Sequence, residues 1–576
     1  MQCTSSLGEA PAKPSSPSTP ATKQQFIDHV VSSFTATLDA ETLHQQSCEL
    51  TSSLRSKLDI PDSIAMLPSF IDQTPTGREQ GDVLSIDIRG STMRAAIVTL
   101  EPSAVKIGDR LRIRKQESWP ITVTLKSLTG VEFFDWIANN IQNFLGRLTE
   151  AGLVVELRAL PAGLVWSFPL EQFELSDGNL REMQKGFVIG QELQGQSIKK
   201  CIYEAFAKRV GYSLANSTPL TTLSTLTQTH QGLEIQLEAI LNDSVSALLA
   251  LSYIDPSTEL SIIAGTGYNS GVRLPATVIN PAKMKHQSNS QRDAMQESSK
   301  ILVDAKLSVI RQGIMPREKT TWDSRLDKMV PFKPGVLGLE LQVGGLFLGE
   351  LVRQIVMDAI KLVGLFDGHL PELTQAPMSW GLQHGAVLEV WLLNPSAFLF
   401  KPSLEDICFV RQICQAVIKR AAAYVAVSTY SMRSLQVLSR DAGDHGVGMD
   451  ACKVACLGSV IEKYPGFMTK SQEYLDQLQH VSSQKSGPKF GAIHLQACAE
   501  SSLTGVAVAA LLGKAPDTLE VTKLPESYDV VGKTTGSVSV VESKSRDGVI
   551  IQGRPAKQSS FWAKIRSLFA VCRRCT

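Results

Sequence analysis

The chain has 576 residues, 43% hydrophobic and 20% charged, enough for three or four domains of ordinary size or two large lobes with insertions. That apolar content supports sizeable cores and excludes wholesale disorder. Lys+Arg 57 against Asp+Glu 56 leaves a net charge of +1, which excludes a nucleic-acid binder that relies on a basic face over a whole domain.

In chain order, residues 1–24 are rich in Ser, Pro and Thr and read as a disordered lead. Their start has no apolar h-region, so no secretory signal is expected. Helical periodicity begins with Phe26, Val30, Val31, Phe34 and Leu38. Residues 83–100 read as two β-runs joined by a tight turn, and 131–152 and 193–210 as helices. A second strand–turn–strand occupies 259–273, and helices are expected over 337–364, 405–431 and 501–513. Strands alternating with long helices predict an α/β protein with layered sheets. Residues 514–576 turn polar before a short apolar, basic end.

Ten cysteines at Cys3, Cys48, Cys201, Cys408, Cys414, Cys452, Cys456, Cys498, Cys572 and Cys575 are too widely spaced for a disulfide framework. They form no paired CxxC for structural zinc. No uncharged run reaches the ~18–20 residues of a membrane span. A reducing, cytoplasmic setting is the expectation.

Four segments carry chemistry. Asp87-Ile88-Arg89-Gly90-Ser91-Thr92-Met93-Arg94 is a turn that offers backbone N–H and hydroxyl donors to phosphate oxygens, with Asp87 able to orient a metal-bound water. By itself the segment also fits an ordinary hairpin turn. Gly265-Thr266-Gly267-Tyr268-Asn269-Ser270 follows a second apolar strand, and its glycines permit close backbone approach to an anion. Asn242-Asp243-Ser244 offers Asp243 as a general base, or else Asp243 or Ser244 as the cap of a helix opening at Val245. Trp166-Ser167-Phe168-Pro169, with Gln172 and with Gln184-Lys185-Gly186-Phe187, offers polyol and phosphate contacts in Ser167 and Lys185.

Read in order, these segments resemble the hexokinase family, as a divergent member of fungal type. IDIRGSTMR is similar to its first phosphate motif IDLGGTNxR, and WSFP with Gln172 to its sugar-binding SFPxxQ. LNDS is similar to the Asn-Asp-Thr catalytic segment, IIAGTGYN to the second phosphate motif GTGTN, and LFLGELVR to the family's YLGELxR helix. The resemblance covers most of residues 25–512. It implies a two-lobed, actin-like ATPase/hexokinase fold with hexose and MgATP in the cleft between the lobes. Residues 25–225 would form the N-terminal region containing the small lobe, 226–512 the C-terminal large-lobe region, and 513–576 a polar linker with a basic amphipathic end.

Carried over position by position, Asp243 would be the general base and Lys185 would neutralise charge on the transferring phosphoryl group. Ser167, Gln184, Asn242, Asn269 and Glu340 would contact the sugar. Asp87, Gly90, Ser91, Thr92, Gly265, Thr266 and Gly267 would surround the ATP phosphates, and Ser502 would lie near the adenosine side of the nucleotide. Magnesium would be held mainly by those phosphates, with Asp87 acting through water. The sequence departs from the family pattern at Arg89 (for glycine), Thr92 (asparagine), Tyr268 and Gln184 (threonines) and Leu457 (aspartate). It also departs at Ala282, read as standing where INTEW has a sugar-binding glutamate. Two functions follow from the resemblance. One is a sugar-binding regulator with weak or lost phosphotransfer that acts on a protein partner. The other is an active ATP-dependent hexose 6-phosphotransferase.

Beyond the resemblance, residues 555–576 place Phe561, Ile565, Leu568 and Cys572 at helical spacing beside Lys564, Arg566, Arg573 and Arg574. That pattern suits peripheral contact with an anionic membrane or an organelle surface such as the mitochondrion, and also a terminal helix docked on the core or a disordered end. No nucleic-acid partner is expected.

Overall fold

The computed structural model describes residues 22–128, 130–151, 159–183, 187–188, 191–209, 234–284, 300–309, 319–330, 334–369, 402–439, 450–485 and 489–512. The bulk of the expected lead, the expected domain boundary at 225, Lys185, Gln184 and the C-terminal region from 513 lie outside them.

Helix α1 (Lys23–Thr35) is capped by Thr22, whose side chain accepts from the Gln25 N–H. Lys23 and Gln24, assigned from sequence to the lead, therefore form its first turn, and Lys23 Nζ pairs with Asp406 Oδ1 at 2.9 Å. Phe26, Ile27, Val30 and Phe34 bury one face. The apolar stripe runs on to Leu38, but Asp39 caps a new helix, α2 (Ala40–Asp59), so the single period spans a break.

Two sheets share one plan. In the first, β2 (Gly81–Ile88), β3 (Thr92–Leu100) and β4 (Leu111–Pro120) form an antiparallel meander, and β5 (Ala159–Trp166) and β8 (Glu234–Leu241) continue it in parallel on the other side of β2. In the second, β9 (Thr258–Ala264), β10 (Tyr268–Leu274) and β11 (Ile301–Asp304) form the meander, and β12 (Cys452–Leu457) and β13 (Ile493–Ala497) continue in parallel. The two-residue β1 (Leu67–Pro68) adds to the outer edge of β11. A separate hairpin pairs β6 (Leu170–Glu174) with β7 (Asp177–Leu180). The turns singled out as phosphate motifs are thus the same turn, first to second meander strand, in each sheet.

Helices fill in around them. The helix α3 (Val131–Glu150) and α4 (Ile198–Arg209) cover the first sheet with the aromatics Phe133, Phe134, Phe144 and Phe206. The second sheet is backed by α6 (Thr321–Met329), α7 (Gly345–Val363), α9 (Phe467–Ser483) and the 35-residue α8 (Leu404–Leu438), which extends past the expected 405–431. Between the sheets lie α5 (Asp243–Ile254), which follows β8, and α10 (Ser501–Leu511), which follows β13. The helix α5 packs on β9 and β10, whereas α10 packs on β5, β2 and β8, so each leans on the other half. Their crossing is close because Gly505 of α10 faces Ser246 of α5, where a Cβ would collide with the Ser246 carbonyl oxygen. The fold is the two-lobed α/β arrangement expected from the sequence.

Candidate active site

The sugar-side residues meet where β8 ends, α5 begins and β10 passes β11. Asn242 is the N-cap of α5, and its Oδ1 accepts from the Ser244 N–H and from the Ser244 hydroxyl, both at 3.0 Å. Capping therefore falls to Asn242, not to Asp243 or Ser244, and Asp243 is the first residue of the helix. Asn269 Nδ2 donates to Asp304 Oδ1 at 2.8 Å and to Asn242 Oδ1 at 3.2 Å, and Asn269 Oδ1 accepts from the Leu307 N–H. Three turns and strands from distant parts of the sequence are locked by one amide.

Glu340 opens a short helical turn, Glu340–Val343, and its carboxylate lies over the second turn: a Cβ at Gly267 would collide with Glu340 Oε1. Ser167 follows β5, with its N–H donating to Ile88 O at 3.2 Å, which sets it beside the end of β2. The Gln172 amide donates to Leu175 O and to Ile240 O at 3.1 and 2.9 Å. It ties the β6–β7 hairpin to β8 two residues before Asn242, which makes it a positioning side chain.

The structure adds two residues that the sequence reading missed and corrects a third. Ala282 lies on the 3-10 turn Pro281–Met284, where its N–H donates to Asn280 Oδ1. The carboxylate beside Asn269 is that of Asp304, at the end of β11. Lys306 Nζ lies 2.7 Å from Asp304 Oδ2, in a left-handed conformation (φ 50°) uncommon for a side chain of this size. Burial works against the Lys306 ammonium, but Asp304, with Asp243 and Glu340, more than offsets it and holds its pKa above the usual range. Tyr268, a departure at a binding position by sequence, turns its ring into the core at 2% exposure.

The phosphate-side turns behave differently from each other. In the second, Gly345 N–H donates to Gly265 O at 2.8 Å and Leu346 N–H to Thr266 O at 3.2 Å, so the start of α7 sits on the turn. Gly458, at φ 123°, closes the same spot from the end of β12, where Leu457 is buried, and any Cβ there would strike Ala264 O. Thr266 is exposed at the tip. In the first turn, Arg89 N–H donates to Thr92 O at 3.0 Å, Gly90 is half-buried and Ser91 is exposed.

Asp87 is fully buried, and its Oδ2 accepts from Arg89 Nε at 2.9 Å, from Ser502 Oγ at 2.8 Å and from an Arg94 amino group. Arg89 Nη2 and Arg94 Nη2 also donate to Ser502 Oγ, at 2.7 and 2.8 Å, and Arg94 pairs with Glu500 just before α10. Burial alone would raise the Asp87 carboxyl, yet the two guanidinium groups more than offset it and hold it below the usual carboxylate range. Ser502, read from sequence as an adenosine-side residue, thus reaches the first turn. Arg89, the residue in place of glycine, lies at the centre of the cluster.

Two family models, both described as hexokinase, match residues 27–253 and 259–512. The chain belongs to the hexokinase family. This hexokinase-family chain is 25% identical over 530 residues to N-acetylglucosamine kinase 1 of Candida albicans, covering 85% of this chain and 95% of that protein. It is 22% identical over 464 residues to the hexokinase of Schwanniomyces occidentalis (78% and 86%) and 25% identical over 468 residues to hexokinase-1 of Schizosaccharomyces pombe (79% and 86%). In fold it is similar to the hexokinase from Schistosoma mansoni complexed with glucose, with a TM-score of 0.65 and 22% identity over 85% of this chain and 99% of that one. Among the described residues, no helix is long and apolar enough to cross a membrane.

Proposed function

We propose that this hexokinase-family protein binds a glucose-like hexose at Asn242, Asn269, Asp304 and Glu340, transfers phosphate weakly or not at all, and reports sugar occupancy to a protein partner. The observation that carries the reading is a contrast between two halves of one cleft. On the sugar side, polar groups are held ready by Asn269, whose amide joins Asn242 and Asp304. On the phosphate side, Oδ2 of Asp87 is taken by its own neighbours Arg89, Arg94 and Ser502, and Oδ1 is buried with no hydrogen-bond partner among the described residues.

Family membership implies ATP-dependent phosphotransfer with magnesium, and the residues around Asp87 do not fit a metal. Two guanidinium groups and Ser502 occupy Asp87 Oδ2, and Oδ1, which has no hydrogen-bond partner among the described residues, is buried. No step is therefore assigned to a metal at Asp87. Asp243 would accept the proton of the sugar hydroxyl, with its neighbour Asn242 keeping the start of α5 in place. Ser167 and Lys185 remain part of the proposed sugar and phosphoryl contacts.

The second reading is an active hexose 6-phosphotransferase with MgATP, favoured by Asp243 standing at the start of α5 within the fields of Arg89 and Lys306. Calorimetry with glucose, run beside a coupled phosphorylation assay, separates the two. Glucose binding with turnover below about 1% of an ordinary kinase rate of ~10 s⁻¹ supports the regulator, and turnover at the ordinary rate supports the enzyme. No glucose binding overturns both. The segment 555–576 is proposed as a peripheral membrane contact, tested by whether it carries a soluble reporter to membranes.

A further inference from the structure

We propose that Arg89 is a built-in cation of the phosphate turn, which binds the phosphates of a nucleoside triphosphate directly and makes that binding independent of a divalent metal. The inference rests on the cleft reading above and goes beyond it by naming what replaces the metal.

The geometry starts from the turn. Arg89 is fixed by its own N–H to Thr92 O, and its Nε and Nη2 are spent on Asp87 and Ser502. The acid beneath it is 0% exposed, whereas the Arg89 side chain is 32% exposed, so the group that the turn itself presents is the guanidinium, with Glu500 of the same cluster 45% exposed beside Arg94. The Nη1 amino group makes no hydrogen bond among the described residues, which leaves donors for an incoming anion.

Charge arithmetic points the same way. Asp87 and Glu500 carry two negative charges, and Arg89 and Arg94 two positive ones, linked by ion pairs into a neutral set. A divalent cation brought to this set meets two guanidinium groups, and the further negative charge that acts on Arg89 is that of Asp243. A polyphosphate finds a planar fork of donors whose shape fits two phosphate oxygens at once. Asp243 also acts on Arg89, so the guanidinium spans the turn and the residue proposed as base.

The test titrates the full-length chain with ATP in the presence of glucose, once in EDTA and once in excess MgCl₂. The expected result is affinities within about threefold of each other, because the guanidinium supplies the charge in both. Arg89→Gly should bind ATP in EDTA at least about tenfold more weakly, the loss typical of a charge-assisted contact, and MgCl₂ should restore most of it. Arg89→Gln serves the same purpose if the glycine variant does not fold. Wild-type binding that requires MgCl₂, an Arg89→Gly variant as tight as wild type in EDTA, or no ATP binding in either buffer would each overturn the proposal. Loss of glucose binding is the separate signature of failure of the cleft reading.

Discussion

Arg89 Nε lies 2.9 Å from Asp87 Oδ2, so one oxygen of the acid in the first phosphate turn is held from two residues away in its own turn. At the equivalent turn of the second sheet, backbone from α7 and Gly458 packs against Gly265 and Thr266, and the Glu340 carboxylate lies over Gly267. One substitution, arginine for glycine, separates the two halves of the cleft chemically while leaving their shared strand plan intact.

Asp304 is the proposed sugar acceptor, and affinity should follow it. Asp304→Ala removes the acceptor of the 2.8 Å bond from Asn269 and strands Lys306. Glucose affinity measured by calorimetry should fall about 10- to 100-fold, the loss expected of one charged hydrogen-bond partner. Ala282→Glu, on its separate turn, should leave glucose affinity unchanged; a gain there would return the acceptor position to residue 282.

Asp243→Asn should leave glucose binding within about threefold of wild type, since the cap of α5 is Asn242. Any residual phosphorylation should disappear, because the amide cannot take the hydroxyl proton. A coupled assay showing unchanged turnover in this variant would remove Asp243 as base.

The joint between the halves is the crossing of α5 and α10. Gly505→Ala places a methyl group against the Ser246 carbonyl, which must move with its helix. Thermal unfolding should show a loss of about 1–3 kcal/mol or more, the usual cost of overpacking a close backbone contact. An unaltered melting temperature would mean that the helices separate freely.

Arg420 and Asp323 form a buried pair, 3% and 5% exposed, with two hydrogen bonds of 2.7 Å and the guanidinium 4.3 Å from the Phe34 ring centre. Burial would raise the Asp323 carboxyl, but Arg420 more than offsets it and holds the pKa below the usual value. A depressed acid contributes stability that is present above its unfolded pKa, near 4, and is lost as pH falls through the folded value. Arg420→Met should cost about 3–5 kcal/mol at pH 7, and its gap from wild type should narrow below about pH 4. Denaturant melts that show a constant gap across that range would contradict the pairing.

The paired turns and the order of motifs were legible because a hairpin between apolar strands leaves a strong local pattern. Asp304 was not, because Ile301–Asp304 is a four-residue strand whose partner β10 lies across residues 275–300, and Asn280-Pro281-Ala282 offered a closer string match. The available signal was the run Ile301-Leu302-Val303-Asp304, an apolar strand ending in an acid. Lys306 was hidden because its left-handed backbone is uncommon for lysine, and Tyr268 misled because alternation along β10 sends its ring to the core. The direction of Arg89, toward Asp87, depends on Ser502 more than 400 residues away.

The central claim is that Arg89 closes the phosphate side of a cleft whose sugar side is intact. Glucose phosphorylation by Arg89→Gly, compared with wild type at saturating glucose and MgATP, tests it most directly. Removing one of the two guanidinium groups on Asp87 should raise kcat by about tenfold or more, equivalent to ~1.4 kcal/mol at the barrier, with glucose affinity unchanged. A variant that binds glucose as wild type does but gains no rate would contradict the claim.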